Sequence, residues 1–111
     1  MSGLEEGRPD WDAELARKLV GAIVLVGITY TDPEGNVDHH TARFGLVSAA
    51  DSRHGIAIEC HGNHAGETLL LPPVTEAFSK ASRGRYELLS GDVVVDPDYL
   101  TTWTAQVLAG N

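Results

Sequence analysis

Ten consecutive residues, Ala22 to Thr31 (AIVLVGITYT), constrain this chain more than any others. They are apolar and rich in β-branched side chains, and they predict one long, well-buried strand. Asp32-Pro33-Glu34-Gly35-Asn36 follows directly. Pro33 presets φ at the first turn position, and Gly35 or Asn36 accepts positive φ, so the chain must reverse here. Val37 to Ser48 is then the return strand of a hairpin. Ala42, Phe44 and Leu46 are expected to point inward, with Thr41 and Arg43 outward. Gly45 interrupts the run, and a glycine inside a strand marks a bulge or a bend. Strong bends in one long strand are how small barrels close.

Short strands follow at regular intervals. Asp51–Gly55 is a turn, and Ile56–Cys60 places Ile56, Ile58 and Cys60 on one face. His61–Gly66 links it to Glu67–Leu71, which Pro72-Pro73 ends because neither residue can donate to a ladder. Val74–Ala81 is expected to hold one helical turn that buries Val74 and Phe78. Arg83–Leu89 and Asp92–Val95 form a hairpin across Ser90-Gly91. Tyr99–Val107 alternates Tyr99, Thr101, Trp103 and Ala105, and is expected to close the sheet. Ahead of the strands, Asp10 stands where an N-cap belongs. Trp11, Leu15 and Leu19 share a helical face. Arg17 and Lys18 occupy the last turn, and Gly21 suits the position after the C-cap.

These elements predict a mostly β fold: a small antiparallel, SH3-like barrel of five to six strands with a short N-terminal α-helix. The rival is an open sheet with the helix on one face. The 111 residues suit a single domain. It is expected over 10–107, with a flexible N-terminus at 1–9 and a flexible tail at 108–111. One cysteine, Cys60, allows no internal disulfide, and the first residues have neither a cationic start nor an apolar run. Both features lead to the expectation of a cytoplasmic protein. The longest apolar run is too short to span a bilayer.

Several segments resemble a group of short, uncharacterised bacterial proteins. They are Val24-Leu25-Val26-Gly27-Ile28-Thr29-Tyr30, Asp32-x-x-Gly35-x-Val37, Leu71-Pro72-Pro73, Gly84-x-Tyr86-x-Leu88 and Asp96-Pro97-Asp98-Tyr99-Leu100-x-x-Trp103. More distantly, the tight hairpin with a bent second strand resembles SH3-like and Sm-like barrels. The first resemblance implies no activity, and the second implies fold alone. An Sm-like RNA binder would need a cluster of Lys and Arg, which this chain lacks.

Candidate chemistry is sparse. Cys60-His61-x-x-His64 carries zinc-type ligands, and His61 and His64 could meet across their turn with His39, His40 or Glu67 as a third ligand. Cys60 and His61 point to opposite faces of a strand, which divides the motif. Zinc through His61, His64 and His39 is therefore the metal reading, set against surface histidines on polar turns. Asp32, Glu34, Asp92, Asp96 and Asp98 sit where aspartate serves turn geometry. No G-x-S-x-G elbow, phosphate loop or EF-hand spacing occurs, so nothing here points to an enzyme. Tyr30, Tyr86, Tyr99 and Trp103 could line an aromatic groove of the kind that binds peptides, although rings in a small barrel more often fill its core.

Sixteen Asp and Glu face eight Lys and Arg, for a net charge of −8. Such a field repels nucleic acid and anionic lipid and attracts a basic partner. The expectation is a non-enzymatic protein-binding or regulatory module, with an immunity or inhibitor protein as its specific form, acting as a monomer or homodimer. The alternatives are a zinc-responsive protein and a barrel binding a small ligand or nucleic acid.

Overall fold

Local pattern becomes structure first in the hairpin that opens the sheet. A computed structural model describes residues 11–106, so the expectations for 1–9, 108–111 and the Asp10 cap lie outside the described residues. Strand β1 (Ile23–Thr31) buries Val24, Val26 and Ile28 on one side. It turns back through Asp32, whose carboxylate accepts hydrogen bonds from the N–H groups of Glu34 (3.0 Å) and Asn36 (2.8 Å). Strand β2 (Val37–Asp51) then pairs antiparallel with β1.

The register corrects the inward set expected for β2. Val24 pairs with Gly45 and Val26 with Arg43, so the inward face of β1 selects the odd-numbered positions of β2. Gly45 and Val47 are buried, whereas Leu46 is exposed. Phe44, also expected inward, pairs with Leu25 on the opposite face. Pairing runs regularly through Gly45, and the irregularity comes at Ser48, between Val47 and Ala49. Glycine is required at 45 for closeness instead. A Cβ there would meet the backbone carbonyl of Glu59.

Strands β3 (Gly55–Cys60) and β4 (Thr68–Leu71) extend the sheet on one side. On the other side, β8 (Tyr99–Gln106) lies next to β1, with β5 (Phe78–Lys80) beyond it. The order is β4-β3-β2-β1-β8-β5. Two features depart from a closed antiparallel barrel. The β1–β8 pairing is parallel, and the sheet stops at β4 and β5 rather than closing. Pro72 begins the link between these edges, where no ladder hydrogen bond can be donated. The link, residues 72–77, includes a 3₁₀ turn at Thr75–Ala77. Phe78 is buried after it, as expected, but Val74 is only partly buried. A flat sheet of this order would hold its edges about 24 Å apart at ~4.8 Å per strand. A turn-containing link of this length cannot cover that distance, so the sheet is rolled, with an unpaired seam.

The rolled face encloses a core of Val24, Val26, Ile28, Val47, Ile56, Ile58, Leu71, Phe78 and Tyr99. Helix α1 (Ala13–Leu19) covers it with Leu19, and Trp11 and Leu15 pack alongside. Its cap is Asp12, two residues after the expected one, whose carboxylate accepts from the N–H of Glu14 (3.0 Å) and Leu15 (3.2 Å). The Asp12 N–H in turn donates to Thr75 Oγ1 at 2.7 Å, joining the helix to the link. Gly21 takes φ +90° after the helix, as expected. A separate two-stranded ribbon, β6 (Arg85–Glu87) with β7 (Val93–Val95), completes the described residues. No helix among them is long and apolar enough to cross a membrane.

Candidate interaction surface

Alternation in the ribbon sends Val94 inward, where it is buried. Val93 (42% exposed) and Val95 (66%) therefore face outward. Across the ribbon, Val93 pairs with Glu87 and Val95 with Arg85, which makes one outward face of two valines flanked by two opposite charges. Arg85 Nε lies 3.4 Å from Glu87 Oε2. Leu89, in the connecting turn, is 78% exposed. Three of the seven exposed large hydrophobics among the described residues thus lie between positions 89 and 95.

A clasp fixes the ribbon's turn end. The β3–β4 connection contains a second 3₁₀ turn, Gly62–His64. Within it, the Asn63 N–H lies 3.2 Å from both carboxylate oxygens of Asp92, and Asn63 Nδ2 donates to the Ser90 carbonyl at 2.7 Å. Ser90 Oγ donates to Asp92 at 2.8 Å. Gly62 is required here, at φ +66° and with Asp92 where a Cβ would stand.

The aromatic set divides. Tyr30, Tyr99 and Trp103 lie on the inward face, where register places Tyr99 beside Val24 and Trp103 beside Ile28. Tyr99 is core, and Trp103 meets Phe78 edge-on at 6.5 Å between centroids. Among the described residues, Trp103 Nε1 is the one buried side-chain polar atom without a hydrogen bond. Tyr86 belongs to the ribbon, and its hydroxyl donates to the Ser82 carbonyl at 2.7 Å.

The histidines have separate partners. His39 Nδ1 lies 2.6 Å from Asp38 Oδ2, and its ring stacks on Tyr30 at 4.6 Å. His61 stands edge-on to Phe44 at 5.8 Å. His64 Nδ1 lies 3.4 Å from Glu67 Oε2. Among the described residues, no three His, Cys, Asp or Glu side chains are placed to share a metal ion.

Ionisation follows these contacts. Glu67 is held below the usual carboxylate range, chiefly by its hydrogen bond with His64 and then by Arg43, whose Nε is 3.3 Å away. Asp51 is lowered by the backbone N–H groups of Arg53 and His54. Burial raises the Cys60 thiol, which sits on the Ile56/Ile58 side as expected, and keeps it protonated.

Sequence reasoning placed the ribbon but missed its outward valines. The signal was the run Val93-Val94-Val95, in which pairing alone decides which residues face solvent. Comparison with protein-family models, with curated proteins and with solved structures yields no match.

Proposed function

We propose that this chain is a non-enzymatic binding module that docks a basic protein through the ribbon face, as an inhibitor or immunity-type protein would. The observation that carries the reading is the outward pair Val93 and Val95, with exposed Leu89 in the adjoining turn, on a two-stranded ribbon whose outer edges have no strand partner among the described residues. Exposed apolar residues gathered in one place mark contact surfaces, and a free strand edge offers main-chain hydrogen bonds to a partner segment. The net charge of −8 selects a basic partner and speeds the encounter. The SH3-like reading belongs to the same proposal. Its support is the tight β1–β2 hairpin and the fifteen-residue β2 that feeds a rolled sheet.

The test is affinity capture from host extract at low salt, using the natural chain beside a Val93→Lys/Val95→Lys variant. A basic protein held by the first, released by salt and not held by the second, supports the proposal. Equal retention by both chains overturns the ribbon as the docking face. A second reading is zinc bound at His64 after a rearrangement that brings in His61 and His39, which do not share a site among the described residues; one observation favours it. The Glu67 carboxylate at His64 Nδ1 resembles the outer-shell partner of a metal-bound histidine. Calorimetric titration with zinc, compared between the natural chain and His64→Ala, decides it.

A further inference from the structure

The sequence contains two lysines, Lys18 and Lys80. They lie on different elements, yet both line the same open cavity of about 420 Å³ at the C-terminal end of α1. Residues Val20–Ala22 form one wall, and Tyr99 and Asp98 form another. This volume falls within the range of small-molecule sites.

Register explains the convergence. Lys80 pairs directly with Tyr99 across β5 and β8, so the two side chains stand on the same face of the sheet. Lys18 lies in the last turn of α1, about 100° round the helix from the buried Leu19, and its exposed side chain lines the cavity from the helix end. Neither lysine forms an ion pair among the described residues. Tyr99 is 93% buried, and its hydroxyl makes no hydrogen bond among the described residues, yet it is not a sealed atom. Asp98 is the opposing charge, and one of its oxygens already accepts the Ile23 N–H at 2.8 Å.

The geometry points to a binding site for the phosphoryl group of a small phosphorylated molecule. Two ammonium groups against one partly committed carboxylate leave a local positive excess on a chain of net charge −8. The ammoniums and the phenol are donors, and a phosphoryl group supplies several strong acceptor oxygens at close to two negative charges. A carboxylate, with two oxygens and one charge, satisfies them less well.

Amide NMR titrations with inorganic phosphate, acetate and chloride at equal ionic strength test the site. Phosphate is expected to give saturable shifts at Gly21, Ala22 and Ser79–Ala81. Binding is expected to weaken at least tenfold in Lys18→Gln/Lys80→Gln and to persist in Lys18→Arg/Lys80→Arg, which keeps both charges. The amide spectrum of each variant reports that it is folded. Shifts with phosphate no larger than with chloride overturn the site. So does an unchanged titration in the double glutamine variant, which would leave Lys80 as an edge guard and Lys18 as a helix-end charge. Acetate binding as tightly as phosphate overturns the phosphoryl assignment.

Discussion

Gly45 admits no side chain, because the backbone of β3 occupies the space where one would begin. Gly45→Ala must therefore push β2 from β3, and we expect a loss of about 1–3 kcal/mol in urea unfolding. Asp51 and Glu67 contribute to the acid sensitivity. Both have lowered folded pKa values, so their contribution is complete above the ordinary carboxylate range near pH 4 and disappears as pH falls through the folded values. Stability measured from pH 6 to pH 2 is expected to fall across this window, with a shallower fall in Asp51→Asn/Glu67→Gln. Sequence showed that position 45 was special but not why. The Glu59 carbonyl that fixes it lies on another strand, and no local pattern encodes a cross-strand distance.

Among the elements, the hairpin turn at Asp32, the stop at Pro72 and the ribbon across Ser90-Gly91 were legible, because turn chemistry is local. The inward set of β2 was not. Its residues alternate on both faces, and a one-residue change of parity exchanges Leu46 for Val47 without altering the pattern. The parallel partnership of β1 with β8 was hidden for a related reason, since two strands so far apart in sequence share no turn. The ribbon's clasp makes an element-scale prediction. Asp92→Ala removes the acceptor for Asn63 and Ser90, so amide exchange should accelerate at Arg85–Val95 while β1 and β2 keep their protection. Uniform acceleration throughout the chain would show that the ribbon opens only with the whole molecule.

For the molecule as a whole, charge is the dominant quantity. The excess of eight negative charges repels itself in the folded state, and salt screens that repulsion. Raising sodium chloride from 10 to 200 mM is expected to increase the melting temperature by a few degrees, as for a gain of roughly 1 kcal/mol in a domain of this size. A decrease would mean that the internal ion pairs outweigh the net charge. Composition made this level legible, whereas the convergence of Lys18 and Lys80 required the pairing of Lys80 with Tyr99.

The parallel seat of β8 beside β1 also governs when the protein can be made whole. Strand β1 is central, yet one of its two neighbours is synthesised some seventy residues after it. At about 5–20 residues per second, a nascent chain carries β1 with one flank open for several seconds on the ribosome. The hairpin can form in that interval, but the sheet cannot be completed until Tyr99–Gln106 emerges. During translation, that bare flank of apolar strand is the surface a chaperone would meet.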